Sequence, residues 1–202
     1  MDVSQDMLDR AMAAAGRAGV DLAGRLVRCS FSGLDLARRY RTVICVDSFG
    51  IGGSRADDER ALQGIHEHLE PGGTLVFSID LATPAQIEPL SDPARAYPSP
   101  WPVAGRRDRL ADGDELELVT RVASFDPATR VETMEIRARL WRGDALLVEE
   151  LGRLLWSHYT TGELLAMLKA AGFGEVQVQG GYTGRPATAT DDTVVLVARR
   201  VS

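Results

Sequence analysis

Thr42-Val43-Ile44-Cys45-Val46 and Gly73-Thr74-Leu75-Val76-Phe77-Ser78-Ile79 are two continuous apolar runs rich in β-branched residues. Residues 56–69, which lie between them, have the pattern of a helix. Strands without alternating polar positions are typical of parallel sheets, in which helices form the crossover connections and cover both faces. The stretch 42–79 therefore predicts a buried β-α-β unit and an α/β fold.

The segments on either side supply more elements of the same kind. Helices with N-cap residues are predicted to begin at Ser4 and Thr160, and Glu163 completes a capping box with Thr160. Gly16 and Gly172 are the predicted stop signals of these two helices. Further strands are predicted at 25–29, 176–179 and 193–198.

The middle of the chain has a different character. Residues 83–113 contain six prolines, which predicts a long loop or lid without regular structure. In 131–141, apolar residues at the even positions alternate with charged ones, which predicts a strand with one buried and one solvated face. Turn signals at Asp126-Pro127 and Gly143-Asp144 make 114–156 an antiparallel three-stranded meander, inserted between the fifth strand and the last helix.

Length and composition predict one globular domain, 1–202. The chain is 45% hydrophobic and has a formal net charge of -6, and its basic residues form no dense block. We therefore expect no nucleic-acid or membrane partner. Cys29 and Cys45 each end an apolar run, as buried free thiols do. With no apolar span and no amino-terminal signal pattern, we expect a cytoplasmic setting.

A glycine-rich turn, Ser48-Phe49-Gly50-Ile51-Gly52-Gly53, follows the first apolar run and leaves open a dinucleotide-binding alternative. The G-x-G-x-x-G pattern requires a third glycine, but Arg55 occupies that position. Asp80, the acid that would bind a ribose, lies 28 residues after Gly52 rather than about 20. Dinucleotide binding is therefore the minor alternative.

Several motifs in the correct order resemble class I S-adenosylmethionine-dependent methyltransferases. Asp2-Val3-Ser4-Gln5-Asp6-Met7-Leu8 is similar to the segment that ends the second strand of that fold. Leu69-Glu70-Pro71-Gly72-Gly73-Thr74-Leu75 resembles the L-x-P-G-G-x-L signature before the fifth strand, and Ala170-Ala171-Gly172-Phe173 resembles a junction near the end. The resemblance covers the whole chain and implies a Rossmann-like methyltransferase sheet with strand order 3-2-1-4-5-7-6.

The resemblance also implies a cofactor, S-adenosyl-L-methionine, and residues that bind it. Asp2 would accept hydrogen bonds from the ribose hydroxyls, and Ser30 would contact an adenine nitrogen. Met7 and Phe31 would supply apolar surfaces for adenine, although both residue types are equally typical of an ordinary core. The cofactor-binding set is Asp2, Val3, Met7, Ser30, Phe31, Val46 and Asp47.

The acidic glycine-rich loop that such enzymes carry after their first strand has no counterpart in the sequence, so the predicted sheet is N-terminally incomplete. A truncated or mis-started enzyme, a strand-donating partner chain and an inactive relic remain alternatives. We expect the isolated chain to bind the cofactor weakly. An unpaired sheet edge would also favour a homodimer.

The resemblance to amino-sugar N,N-dimethyltransferases implies that the insertion covers a pocket for a small-molecule substrate. His158 is the candidate proton acceptor, with Tyr159 beside it, although a histidine without a role is as plausible there. His66 and His68 lack metal-site spacing, so no metal is expected. The predicted substrate-binding residues are Phe49, Tyr97, Trp101, Arg139, Trp141 and Tyr182, whereas Trp156 is expected to pack between insertion and sheet. The predicted function is methyl transfer to a small molecule; the alternative is a non-catalytic methyltransferase-like subunit or relic.

Overall fold

The computed structural model describes residues 1–201, which form four α-helices and eight β-strands. The helices capped by Ser4 and Thr160 begin where the sequence predicts. The helix predicted over 56–69 runs from Arg55 to His68, with Ser54 as its N-cap residue. The elements are α1 (Gln5–Arg17), β1 (Tyr40–Cys45), α2 (Arg55–His68), β2 (Leu69–Asp80), α3 (Pro84–Ser91), β3 (Arg107–Arg109), β4 (Glu115–Asp126), β5 (Val131–Arg142), β6 (Ala145–Ser157), α4 (Thr161–Ala170), β7 (Phe173–Gly180) and β8 (Thr193–Arg200).

The main sheet has the strand order β1-β2-β8-β7. β1 and β2 are parallel and α2 connects them, which is the predicted β-α-β unit, and β8 pairs antiparallel with both β2 and β7. Leu62 and Ile65 of α2 and Leu164 and Leu168 of α4 are almost fully buried among the apolar side chains of this sheet. The spacing of three and four residues places each pair on one helix face, which explains why both helices dock on the sheet. In the described residues β1 pairs only with β2, so its other edge carries no strand.

The predicted strand at 25–29 is wrong. Residues 27–29 instead form one parallel bridge with the first residues of the chain: the Asp2 N–H donates to the Val27 carbonyl and the Cys29 N–H donates to the Asp2 carbonyl. A strand is stabilised by a longer ladder of such bonds, and this pairing ends after two. The pairing nevertheless fastens Asp2 beside Cys29, which matters for the site below.

The proline-rich segment contains more regular structure than its composition predicts. Thr83 and Gln86 form a capping box for α3, and Pro84 occupies the first helical position, where a missing N–H costs nothing. Pro89 lies in the second turn of this short helix and removes only a single backbone hydrogen bond. Farther along, residues 107–109 form β3, which pairs antiparallel with β4. The prediction of a structureless lid over 83–113 is therefore wrong in these two places.

The second sheet has the order β3-β4-β5-β6, with the predicted antiparallel meander extended by β3. The prediction that its apolar face is buried and its charged face solvated is wrong. Glu135, on the charged face, is 4% exposed, whereas Leu118, on the apolar face, is 53% exposed. Arg121 and Arg153 pair with Glu135 and neutralise its charge, and Trp101 covers this face by stacking on Arg121. Ion pairing together with an aromatic cover makes burial of the carboxylate tolerable.

No helix in residues 1–201 is long and apolar enough to cross a membrane. Both cysteines are free: Cys45 is buried, and Cys29 is half-buried.

Candidate functional site

Two clefts open next to the carboxyl ends of β1 and β2, the position where open α/β sheets bind ligands. The first cleft has a volume of about 500 Å³ and lies between the first residues of the chain, 29–32 and the loop that follows β1. The second cleft has a volume of about 240 Å³ and lies between α3, the end of β2 and the inserted sheet.

The first cleft brings together five of the seven predicted cofactor-binding residues. Asp2, Val3, Ser30, Phe31 and Asp47 all line its wall. The two other predicted residues do not line it: the side chains of Met7 and Val46 are exposed at 53% and 56%. Met7 lies in α1, and no residue of that helix lines the cleft.

Local hydrogen bonds orient the Asp2 carboxylate. Its Oδ1 accepts from the Ser4 N–H at 2.8 Å, while its backbone is bridged to Val27 and Cys29. The bridge places Asp2 next to Ser30, whose hydroxyl accepts from the Gly33 N–H and caps a short 3-10 turn beginning at Phe31. Two distant pieces of sequence are thereby held side by side on one wall.

Asp47 forms the opposite wall and is fixed from two sides. Its N–H donates to the Ser78 hydroxyl at 2.9 Å, and that hydroxyl in turn donates to the Asp47 carboxylate. The Tyr182 hydroxyl donates to the same carboxylate at 3.2 Å. The φ angle of Asp47 is 46°, a left-handed conformation that is costly for a residue other than glycine. Such strain is characteristic of functional sites, and here the strained residue lines the first cleft.

The glycine-rich turn after β1 joins the two sheets. The Ser157 N–H donates to the Gly50 carbonyl at 2.7 Å, and the Gly52 N–H donates to the Leu155 carbonyl at 2.8 Å. Gly50 has φ of 79°, and a Cβ there would lie 2.9 Å from the Ser157 oxygen, so only glycine fits. Since the Gly52 N–H is committed to Leu155, the turn does not offer it to a dinucleotide phosphate.

The second cleft contains a buried carboxylate-imidazole pair. His158 Nε2 lies 2.9 Å from Glu132 Oε2, and both side chains are less than a tenth exposed. Trp156 stacks on the imidazole with 5.0 Å between ring centroids. All three residues line the cleft. With Glu132 ionised, Nε2 carries the ring proton, and the opposite nitrogen is left as the acceptor.

Sequence reasoning missed Glu132, although a signal was present. Glu132 occupies an even position on β5, where the neighbouring even residues Met134 and Ile136 are apolar. An acid on the apolar face of a strand is expensive to bury unless another group pairs with it. This irregularity in the apolar pattern singles out Glu132, but the sequence does not indicate that His158 is its partner.

Comparisons with known proteins agree with this architecture. An S-adenosylmethionine-dependent methyltransferase from Clostridium acetobutylicum matches with a TM-score of 0.71 at 16% identity, over 99% of this chain and 73% of that one. The CcbJ methyltransferase from Streptomyces caelestis matches with a TM-score of 0.65 at 22% identity, over 99% and 73%. A sugar N-methyltransferase from a Streptoalloteichus species matches with a TM-score of 0.63 at 18% identity, over 99% of this chain and 69% of that one.

The chain has a Rossmann-like methyltransferase fold. The predicted resemblance and fold class are thereby confirmed. No protein-family model matches the chain, and a search of curated proteins gives no match either. None of the three structures above is described as a non-catalytic subunit, so that alternative has no support.

Within this methyltransferase fold, the residues predicted to bind substrate are scattered. Tyr97 lies beside the second cleft and donates to the carbonyl of Leu90, a lining residue, whereas the Tyr182 hydroxyl points to Asp47 of the first cleft. Phe49 is 3% exposed, packs against Phe77 in the core and lines neither cleft.

Three other predicted substrate residues, Trp101, Arg139 and Trp141, belong to the charged face of the inserted sheet. Arg139 pairs with Glu149, and the Trp141 indole donates to Glu117. Both residues are at odd positions of β5, and successive side chains of a strand point to opposite faces. They therefore lie on the face opposite Glu132 and do not line the second cleft, so a substrate-binding role for them stays a prediction.

Tyr159 was the second candidate for catalysis, but its hydroxyl is already committed. The side chain is fully buried, packs against Phe49 and donates to Asp58 Oδ2 at 2.7 Å. The Arg55 guanidinium also stacks on its ring, with Cζ 4.3 Å from the ring centroid. Tyr159 lines neither cleft, so in this fold it acts as a buried link to Asp58, which does line the first cleft.

Tyr159→Phe is expected to lower the free energy of unfolding by about 1 to 3 kcal/mol, because the buried Asp58 carboxylate loses its hydroxyl donor. Cofactor affinity should change less than about twofold. Chemical denaturation measures the first effect and ligand titration the second. A large loss of affinity without loss of stability would restore a direct role for the hydroxyl.

Asp58 should make stability depend on pH. Burial raises the pKa of its carboxyl from 3.8 to about 6, although the hydrogen bond from Tyr159 acts in the opposite direction. Because the folded-state pKa lies above the unfolded value, the favourable contribution is complete below about pH 4 and is lost as pH rises through 6. The shift of about two units corresponds to about 2 to 3 kcal/mol.

Asp58→Asn isolates this contribution from the other titrating groups. We expect the stability difference between variant and parent to move in favour of the variant by about 2 to 3 kcal/mol between about pH 4 and pH 7. His66, whose pKa is lowered by burial, affects both proteins equally and cancels in the difference. Denaturation at a series of pH values provides the measurement, and a flat difference curve would contradict the assignment.

In the described range 1–201, no three His, Cys, Asp or Glu side chains are grouped as a metal site. His68 has structural contacts on both ring nitrogens, with the Leu36 N–H and the Gly64 carbonyl, and the His66 ring packs edge-on against Phe173.

Proposed function

We propose that this chain transfers a methyl group from S-adenosyl-L-methionine to a small-molecule acceptor, with the cofactor in the first cleft and the acceptor in the second. The observation that carries the proposal is the convergence of Asp2, Ser30, Phe31 and Asp47 on one cleft at the carboxyl end of β1. The solved structures with this fold include a sugar N-methyltransferase, which supports a small acceptor.

The chemistry of the first cleft suits this cofactor. The Asp2 carboxylate is a hydrogen-bond acceptor and matches the two hydroxyl donors of a ribose. Four carboxylates line the cleft, Asp2, Asp47, Asp57 and Asp58, and they favour the positive charge of a sulfonium and an ammonium group. Phe31 supplies an apolar surface next to Ser30 for a flat base. When bound, the cofactor supplies an activated methyl group.

His158 is the proposed proton acceptor for the group that is methylated. Glu132 fixes the proton on Nε2, so the opposite ring nitrogen is available to the acceptor molecule. Trp156 and Leu81 form apolar walls that orient a small substrate. Alignment carries much of the rate of methyl transfer, and a base contributes where the acceptor loses a proton early.

A titration followed by backbone NMR tests the cofactor site, since this method detects both tight and weak binding. With up to about 1 mM S-adenosyl-L-methionine, amide signals of residues 30–32, 47 and 52–53 are expected to shift. Shifts confined to other surfaces, or none, would overturn the proposal. A panel of amino sugars and hydroxylated sugars, assayed for release of S-adenosylhomocysteine, then identifies the acceptor.

A further inference from the structure

An ion-pair cluster outside both clefts joins three parts of the fold. The Glu163 carboxylate, at the start of α4, pairs with Arg55 at the start of α2 and with Arg130 in the turn between β4 and β5. The three side chains are between 24% and 32% exposed. Exposed ion pairs contribute little to stability, so a partly buried triad that joins two helices to a turn calls for another explanation.

The two arginines hold the peptide groups of His158 from both sides. Arg55 Nη2 donates to the His158 carbonyl at 2.6 Å. The His158 N–H donates to the Arg130 carbonyl at 3.0 Å. Glu163 therefore ties together the two residues that fix the backbone of the proposed proton acceptor, while Glu132 fixes its ring.

The two oxygens of Glu163 have separate tasks. Oε2 accepts from the Thr160 N–H at 2.9 Å and from its hydroxyl at 2.8 Å, which completes the helix cap. Oε1 accepts from Arg55 and Arg130. A capping box alone would use one oxygen and tolerates glutamine equally well. The arginine contacts are therefore an additional feature of this position.

We propose that Glu163 is a positioning residue: through Arg55 and Arg130 it holds the His158 backbone so that the imidazole stays against Glu132 and faces the second cleft. The inference rests on the proposed function of His158 for its catalytic meaning. How Glu163 holds the His158 imidazole does not depend on whether an acceptor or the cofactor is bound.

The substitution that separates the two tasks is Glu163→Gln. Glutamine at this position keeps an oxygen for the Thr160 cap, but it loses the charge that pairs with the arginines. Thr160→Ala is the matched control, since it weakens the cap and leaves the Glu163 carboxylate for Arg55 and Arg130. Glu132→Gln is the positive control, because it removes the carboxylate that fixes the ring proton.

The readout is the nitrogen spectrum of the imidazoles in protein labelled at histidine, which contains only three such rings. At about pH 8, where an ordinary histidine is neutral, His158 of the parent is expected to give one tautomer with the proton on Nε2. In Glu163→Gln and Glu132→Gln its signals should broaden or move toward a mixture of tautomers. Thr160→Ala should lower the melting temperature and leave these signals unchanged.

Unchanged His158 signals in Glu163→Gln would overturn the proposal, as would equal changes in Thr160→Ala.

The same samples are titrated with S-adenosyl-L-methionine, and cofactor affinity is expected to stay within about twofold of the parent. Absence of cofactor binding in the parent would refute the proposed function, yet the tautomer result would stand. With an acceptor in hand, Glu163→Gln should lower kcat about tenfold at unchanged KM for the cofactor, and Glu163→Asp, which keeps the charge, should recover part of it.

Discussion

Asp2→Asn is expected to weaken binding of S-adenosyl-L-methionine by about 10- to 100-fold. Hydrogen bonds to a charged group contribute about 1.5 to 3 kcal/mol, and about 1.4 kcal/mol corresponds to a factor of ten. Asparagine keeps the Oδ1 that accepts from the Ser4 N–H, so the entry into α1 is preserved while the charge is lost. NMR or calorimetric titration gives the ratio of dissociation constants.

Asp6→Asn is the matched control for this change. Asp6 lies in the first turn of the same helix, is exposed and does not line the first cleft. The Asp6→Asn substitution removes one negative charge, as Asp2→Asn does, so any general electrostatic effect on cofactor binding appears in both variants. Equal affinities for the two variants would show that Asp2 makes no specific contact with the cofactor.

His158→Gln is expected to lower turnover about 10²- to 10⁴-fold, the range typical of a general base, with little change in KM for the cofactor. Glutamine retains an amide donor for the buried Glu132 carboxylate. Alanine would leave that carboxylate without its partner, which typically costs about 3 to 5 kcal/mol of stability. Initial rates with the acceptor found in the sugar panel provide the measurement.

Glu150→Gln, an exposed substitution on β6, the strand that ends just before His158, is the control for the histidine variant. It should leave kcat within about twofold of the parent. A His158→Gln variant that retains full turnover would mean that methyl transfer relies on alignment alone and that the acceptor reaches the cleft already deprotonated.

Sequence reasoning predicted the main sheet well because its signals are local. The apolar runs 42–46 and 73–79 predict β1 and β2, and the helical pattern between them predicts α2, because these signals act within a few residues. The weakest predictions concern the faces of β5 and the proline-rich segment. Both depend on which distant residues cover them: Trp101 covers the charged face of the inserted sheet, and no alternation pattern contains that information.

The candidate sites divide in the same way. Asp2, Ser30, Phe31 and Asp47 were found because motif order resembles a known fold, and the structure gathers them on one cleft. Arg139 and Trp141 were predicted from residue types that suit a substrate, whereas strand parity places them on the face opposite Glu132. Glu132 was missed because its partner, His158, lies 26 residues away.

The sequence by itself determined the β-α-β unit and the inserted antiparallel sheet, because propensity, periodicity and capping act over short distances. Only the tertiary structure decided which side chains meet: Asp2 with Ser30, Glu132 with His158, and Glu163 with both arginines. Each meeting joins residues that are far apart along the chain. The backbone bonds that hold Asp2 and the ion pairs of Glu132 and Glu163 form only after these distant segments have packed together.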